Sequence, residues 1–442
     1  MLRLFLCLRY LRKIKIVFLS VAAVALSVSL LIVVSSLFSG FIKTFEQAAV
    51  EVIGDVVLSP RRPFKVEKYP LLIEQLEQAS TVQAATAALL APGLLKLDTG
   101  IVRPVEVWGI QPGRLARVTG LKRALLKQRS LPGEPSFETG DSPEKTGGFV
   151  GIGVLGEPDD ETDEYDLEAV EKWLGKQIVL TTGTASSTEI KRKVVAFSIA
   201  DVVETGVYQF DKGGVYLSIE DLQRTLYRDQ ESPIADQILI KLADDVDTKV
   251  ALAEIAGLWR NFVTEHLEAN LFLIRQTDIL TAKEMQRPYV RAYRKQMGIL
   301  LLIFGIVSFG VVLLVFCIFY MIVRLKQKDI AIIRSCGTSS AAVAIVFVDF
   351  GACVGILGSA IGALLGYLIT ANVNTIEEWI RIVFGLKLWK SSVYLFSKIP
   401  NEVDWLWALI FMLVATGAAI VGTLIPAVVA ARTKPVEILQ YE

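Results

Sequence analysis

Four apolar runs, each long enough to cross a bilayer, constrain this chain more than any other feature. The first, Ile16 to Phe38, carries no ionisable residue. At about 1.5 Å per residue, a helix of that length exceeds the roughly 30 Å of hydrocarbon it must span. The others run from Met297 to Val323, from Phe347 to Ala371 and from Trp405 to Ala430, with Asp349 the only charge among them. Arg3, Arg9, Arg12, Lys13 and Lys15 precede the first run and place the N-terminus in the cytoplasm. The run outlasts the roughly 7–15 apolar residues of a cleaved signal peptide, and no A-x-A site closes it, so it reads as an anchor. An even number of spans returns the C-terminus to the cytoplasm, in agreement with Arg432 and Lys434. Basic residues flank the second run on both sides and decide nothing. Trp405 and Trp407 sit where the fourth run should meet the outer interface. The expectation is an inner-membrane protein with four transmembrane helices and a large mixed α/β domain outside the cytoplasm, inserted between helices 1 and 2.

That reading divides the chain at 1–40 (a cytoplasmic surface helix and the first span), 41–295 (the extracytoplasmic α/β domain) and 296–442 (a domain with the three remaining spans). In the middle block, Val56–Leu58, Val105–Trp108, Gln177–Leu180, Val194–Phe197, Val215–Leu217 and Ile238–Ile240 read as strands, being rich in β-branched residues between Gly, Pro or Asp. Leu71–Ala79, Ile219–Leu226 and Thr248–Trp259 read as helices. Residues 128–166, with Pro, Gly, Ser and the run Glu157-Pro158-Asp159-Asp160-Glu161-Thr162-Asp163-Glu164, read as a mobile solvated loop. It lacks the spacing of a calcium-binding EF-hand loop.

Several chemistries are excluded by composition. All four cysteines (Cys7, Cys317, Cys336, Cys353) lie in or beside the apolar runs, so no disulfide framework holds the middle domain. His266 is the only histidine, which leaves no His/Cys metal cluster and no second base for a Ser-His-Asp triad. It reads as a surface helix residue. The formal net charge is zero, so nothing points to nucleic acid. Gly151-Ile152-Gly153-Val154-Leu155-Gly156 matches the dinucleotide fingerprint, but Glu157, Asp159 and Asp160 follow where a pyrophosphate would need a helix N-terminus. No G-x-x-x-x-G-K-[ST] loop occurs, so ATP is not cradled here. No catalytic residue is assigned, and the chain is expected to be a non-catalytic membrane subunit that binds neither metal nor cofactor.

Gly351, Gly355, Gly358, Gly362 and Gly366 line one face of the third span. Small residues at this spacing let a second backbone approach, either within a four-helix bundle or across a subunit interface. Asp349 is expected at the cytoplasmic end of this span, where a carboxylate is cheap. Residues 2–12 alternate apolar and basic positions and can lie flat on a membrane surface.

A resemblance emerges from motifs in order along the chain. Leu8-Arg9-Tyr10-Leu11-Arg12 and a span ending Ser39-Gly40-Phe41 resemble the opening of LolC/LolE-type permeases. Val105-Glu106-Val107-Trp108-Gly109-Ile110-Gln111-Pro112 resembles their strand and turn, and Glu204-Thr205-Gly206-Val207-Tyr208-Gln209-Phe210-Asp211 with Val215-Tyr216-Leu217 resembles a second segment. Arg324-Leu325-Lys326-Gln327-Lys328-Asp329-Ile330-Ala331-Ile332-Ile333-Arg334-Ser335-Cys336-Gly337 resembles the signature that follows the second span throughout the wider FtsX/MacB superfamily. Val393-Tyr394 with Ile399-Pro400, then Pro426 and the tail from Lys434, resemble the ending.

The resemblance implies a MacB-core-like domain on an FtsX-like permease, in an ABC transporter that releases lipoproteins from the inner membrane. It implies as partners a cytoplasmic ABC ATPase that uses ATP and magnesium, a second permease copy or paralogue, a lipoprotein substrate, a periplasmic carrier and membrane lipid. The segment from Arg324 to Gly337 is then the expected ATPase-coupling loop. Its members are Arg324, Lys326, Lys328, Asp329, Ile330, Ile333, Arg334 and Gly337, with Lys328, Asp329 and Arg334 setting orientation by charge and Gly337 ending the helix. Without the resemblance, the same segment reads as a basic loop that only sets topology. Rival readings are a permease of this architecture for peptide or drug efflux or for control of a cell-wall hydrolase, and a non-transporting anchored sensor.

Overall fold

The structure, a computed structural model, describes residues 15–97, 100–138, 147–159, 161–185, 190–268, 270–394, 396 and 398–432. The N-terminal surface helix expected over residues 2–12 and the tail from Lys434 lie outside the described residues. The chain forms two compact units. One comprises residues up to 43, 289–376 and 399 onward; the other comprises 44–288 and 377–398. Of the segment between the third and fourth apolar runs, residues 377–398 group with the α/β unit.

Among the described residues, four helices are long and apolar enough to cross a membrane: Lys15–Ile53, Arg287–Leu325, Ser340–Ala371 and Trp405–Arg432. They are called helices 1 to 4 below. At 39 residues each, helices 1 and 2 reach about 58 Å, well beyond one hydrocarbon layer. Their charged extensions are what the sequence reading, following apolarity alone, left out.

Within the membrane unit the core is a seam. Val17, Val21, Val24, Val28 and Ile32 recur every three or four residues on helix 1 and are buried with Phe319 and Ile322 of helix 2 and Phe350 and Val354 of helix 3. The glycines of helix 3 let this seam close. A Cβ on Gly358, Gly362 or Gly366 would meet Val24, Ala25 and Ile32 of helix 1 at 2.8, 2.5 and 3.0 Å. On Gly351 and Gly355 it would meet Thr423 and Thr416 of helix 4 at 2.3 and 3.0 Å. The stripe therefore serves two neighbours in the same chain, three glycines to helix 1 and two to helix 4.

The α/β unit carries eleven strands among the described residues: β1 (Val56–Pro60), β2 (Val66–Glu67), β3 (Val82–Lys96), β4 (Val102–Ile110), β5 (Gly147–Gly151), β6 (Gln177–Ala185), β7 (Ile190–Val203), β8 (Gly214–Ser218), β9 (Ile234–Ala235), β10 (Gln237–Leu242) and β11 (Thr277–Thr281). The main sheet runs β11-β1-β10-β3-β4-β8-β5-β7-β6, and β6 also pairs with β3. That last pairing closes β3, β4, β8, β5, β7 and β6 into a six-stranded ring, which removes the exposed edges an open sheet would present. The long β3 makes both arrangements. Its first half pairs β10 and its second half pairs β4 and β6. Asp236 stands where it changes partner: one carboxylate oxygen accepts from Leu90 N at 2.8 Å and the other from Lys65 Nζ at 2.6 Å.

All six sequence-predicted strands are present, as are the three helices, here Tyr69–Glu77, Ile219–Leu226 and Thr248–His266. The reading of 128–166 as one solvated loop is corrected. Residues 147–151 form β5, wholly buried, parallel to β7 and antiparallel to β8. The sequence Gly-Gly-Phe-Val-Gly hides its strand because glycine has low β-propensity. Here glycine is needed: a Cβ on Gly148 would lie 2.7 Å from both Leu217 and Phe197.

Candidate functional site: the inter-helix segment and the apolar groove

The segment between helices 2 and 3 forms a short helix, Gln327–Ser335. Asp329 in its first turn complements the helix dipole and pairs with Lys326 Nζ at 2.7 Å. At the other end, Gly337 takes φ +93°, a left-handed conformation suited to glycine, and its N–H bonds Arg334 O at 3.0 Å. Ser339 then starts helix 3 by accepting from Ala342 N at 3.2 Å. The segment is therefore punctuated at both ends by its own residues.

Its eight singled-out residues divide by environment. Ile330 is buried with Val323 of helix 2, Val343 of helix 3 and Ala430 of helix 4, and Ala331 beside it is fully buried. Arg334 turns inward. It donates from Nη1 to Ala431 O of helix 4 at 3.0 Å and from Nη2 to Ser340 Oγ of helix 3 at 2.9 Å. Arg324 lies over the Tyr320 ring, 5.5 Å from its centroid. On the outer face, Ile333 is 48% exposed and its neighbour Ile332 is 52% exposed. Ile330 and Arg334 bind the segment to its own bundle, and Ile332 and Ile333 are exposed.

A second feature was invisible in the sequence. Helices 1, 2 and 4 leave a groove of about 380 Å³ between them, lined by Val24, Ser27, Leu301, Gly305, Val312 and Val414 among others. Its one polar pair along this wall is Ser27 with Ser308, whose hydroxyl oxygens are 2.6 Å apart. Ser308 Oγ donates to Phe304 O at 2.8 Å, so the proton between the two serines comes from Ser27. With both hydroxyls paired, the groove presents a largely apolar surface. Next to it, Ile299, Leu302, Ile306 and Phe309 of helix 2 are 62–63% exposed.

In the α/β unit the acidic run is tied down. The Asp159 carboxylate accepts from Thr162 N, Glu161 N and Thr162 Oγ1, and these bonds hold it below the usual carboxylate range. Asp163 is 8% exposed and accepts from Ser391 N at 2.7 Å and Ser391 Oγ at 3.1 Å. Lys387 Nζ donates to Thr162 O at 3.0 Å, and Val207 forms a bridge with Phe396. Thr162 and Asp163 of the run thus hold Lys387 and Ser391, while Glu157, Asp159, Glu161 and Glu164 stay exposed.

Asp211, the last residue of the Glu204–Asp211 motif, is 2% exposed. It accepts from Thr205 N, Thr205 Oγ1 and Gly206 N at 2.7, 2.7 and 3.0 Å. Burial outweighs these donors and pushes its carboxyl up to about 6. The dinucleotide-like glycines have a packing role. A Cβ on Gly151 would lie 2.3 Å from Asp211 O, and one on Gly153 would lie 2.9 Å from the Tyr165 hydroxyl and 3.1 Å from Lys212 Cα. They admit the Tyr208–Gly213 helix, not a pyrophosphate. Among the described residues, no group of His, Cys, Asp and Glu is placed to hold a metal ion. His266 ends the Thr248–His266 helix, partly exposed against Phe262.

Residues 290–435, the region from helix 2 to helix 4, match the family of FtsX-like permease C-terminal domains. Over nearly its whole length the chain is similar to transmembrane proteins named LolC, as the ordered motifs indicated. It is 28% identical to the lipoprotein-releasing system transmembrane protein LolC of Neisseria meningitidis serogroup B, with 98% of each chain covered. It is 32% identical to the LolE protein of Haemophilus influenzae over 32% of this chain and 33% of that one. Among solved structures, the periplasmic region of MacB from Actinobacillus actinomycetemcomitans aligns over 54% of this chain and 95% of its own, at 15% identity and a TM-score of 0.34.

Proposed function

We propose that this chain is the permease subunit of an ABC transporter that releases lipoproteins from the inner membrane. The observation that carries the reading is the end-to-end likeness to LolC, joined to a match to FtsX-like permease domains and to helices that line an apolar groove. An acyl chain is the cargo part that such a groove fits, because it needs no polar partner and loses nothing by leaving water. In this reading all four helices span the membrane, both termini are cytoplasmic and the α/β domain between the first two spans is periplasmic.

ATP and magnesium are used by a separate ATPase that docks on the segment between helices 2 and 3. Ile332 and Ile333 supply the apolar contact, with Lys326, Lys328 and Asp329 as its charged surround. Arg334, Ile330 and Gly337 keep the segment rigid so that a push on it moves the bundle. A second permease, identical or paralogous, faces the exposed wall of helix 2, and a periplasmic carrier receives the cargo.

The test is affinity purification of the tagged full chain from gently solubilised membranes, with mass spectrometry of what accompanies it. An ATPase subunit together with acylated proteins supports the reading. An ATPase with no acylated protein moves the substrate to efflux or to cell-wall control, and no ATPase at all removes the transporter assignment.

A further inference from the structure

The connection between helices 3 and 4 has an exposed face that neither the permease domain nor the α/β core uses. It opens with a helix, Val373–Phe384, starting one residue past the Asn372 cap of helix 3. Ile376, Trp379, Ile382 and Val383 recur at three- and four-residue spacing along one side and are 39%, 66%, 68% and 61% exposed. Phe384, Leu386 and Leu388 extend the apolar surface at 69%, 59% and 58%. A contiguous patch of this kind on a soluble surface would be unusual.

The polar side of the same helix is already engaged. Glu377 is buried and faces Lys387 Nζ at 3.9 Å; Glu378 pairs with Arg381. Lys387 also donates to Thr162 O. The base of the connection is closed on the end of helix 3: Asn374 exchanges hydrogen bonds with Ile399 O and Ile399 N at 3.0 and 2.9 Å, and Asn401 Nδ2 donates to Ala371 O at 3.3 Å.

We infer that Val373–Phe384, continued by Leu386 and Leu388, lies on the membrane surface with its apolar face in the boundary between head groups and acyl chains. The occupant is lipid because this face continues, along one chain, the exposed surface of a membrane helix. Leu365, Leu368 and Ile369 of helix 3 are 43%, 46% and 39% exposed, and Ile376 follows them within two turns. A tryptophan and a phenylalanine at a span's end match the side chains that favour this interface. Arg381 and Lys387 are held by Glu378 and Glu377, so attachment is apolar and does not depend on anionic lipid.

The experiment uses the full chain with Cys7, Cys317, Cys336 and Cys353 replaced by serine and one spin label at Trp379→Cys or Val383→Cys. References are Leu364→Cys in helix 3 and Val250→Cys on the α/β unit, 59% and 57% exposed. In vesicles of phosphatidylethanolamine and phosphatidylglycerol, accessibility to oxygen is compared with accessibility to a water-soluble nickel chelate. Labels at 379 and 383 are expected to shift toward oxygen as far as the Leu364 reference, unchanged in phosphatidylcholine alone. Nickel accessibility equal to the Val250 reference overturns the inference in favour of solvent. Immobilised labels reached by neither quencher overturn it in favour of a covering protein. Conservative labelling of exposed positions leaves the fold intact, and the size-exclusion profile of each variant checks this.

Discussion

Replacing Gly362 by alanine puts one methyl into the seam between helices 1 and 3. It would lie 2.5 Å from Ala25 O, 2.9 Å from Val28 Cβ and 3.0 Å from Ala25 Cα. Two of these atoms are backbone and the third is fixed to it, so no rotamer change relieves the contact. To move the closest contact from 2.5 to an ordinary 3.4 Å, the helices must part locally by about 0.9 Å, which forfeits a quarter to a half of each dispersion well along the seam. Overpacking of this kind costs about 1–3 kcal/mol. Against it stands a gain of at most about 1 kcal/mol from the better helix propensity of alanine. The net expectation is a loss of about 1–2 kcal/mol. Gly417→Ala is the matched control, because its Cβ meets nothing within 4 Å. The assay is heating of the detergent-solubilised full chain, with the monodisperse fraction read by size exclusion. Gly362→Ala should melt earlier than the parent and Gly417→Ala should not. If both variants melt with the parent while Gly362→Ala alone changes the oligomeric state, the stripe faces another subunit and the intramolecular seam is refuted.

Two further changes separate docking from internal bracing at the inter-helix segment. Arg334→Met removes the charge-assisted bonds to Ala431 O and Ser340 Oγ and should destabilise the chain by about 2–4 kcal/mol. Ile333→Asp, on the exposed face, should leave melting within about 0.5 kcal/mol and abolish ATPase co-purification; retained co-purification would defeat the docking proposal. Asp211 gives a pH signature. Its folded-state value of about 6 lies above the ordinary 3.8, so the folded state holds the proton more tightly. Stability is then greatest below 3.8, declines as pH rises toward 6 and is flat above, a change of roughly 3 kcal/mol at most. Melting of the full chain at pH 4 and pH 7.5 should show this dependence, and Asp211→Asn should flatten that part of it.

What was legible in the sequence were features with a period. The apolar runs and the strands rich in β-branched residues announce themselves because side-chain chemistry repeats at the spacing of the backbone. What was not legible depended on partners distant along the chain. β3 is largely alanine and leucine with Pro92 and Gly93 inside it, and its two sets of partners are set by the ring it closes. β5 is mostly glycine for the same reason that Gly151 and Gly153 are glycine: other elements come too close for a Cβ. Asp163 reads as one more solvated acid until Ser391, far along the chain, is seen to donate to it twice. The residues between helices 2 and 3 were partly legible. Their position after the second run could be read, but the inward turn of Arg334 could not, because its acceptors lie on helices 3 and 4.

The buried side of the inter-helix segment also decides where a push on it can go. Ile330 is buried in one cluster with residues of helices 2, 3 and 4, and Arg334 joins the start of helix 3 to the end of helix 4. Among the described residues, helix 1 contributes none to that cluster. It meets helix 3 through Gly358, Gly362 and Gly366, which lie against the Val24 side chain, the Ala25 backbone and the Ile32 side chain. A closely packed core of this kind responds by moving between discrete arrangements instead of deforming smoothly. A force applied at Ile332 and Ile333 can therefore reach helix 1 through helix 3, and also through helix 2, whose Phe319 and Ile322 are buried with helix 1. The groove walled by Ser27 on helix 1 and Ser308 on helix 2 would change width as a result. In the proposed transporter, this makes the glycine seam one link, beside the packing of helix 2 on helix 1, between nucleotide state and the acyl-chain path, with no charged residue needed inside the membrane.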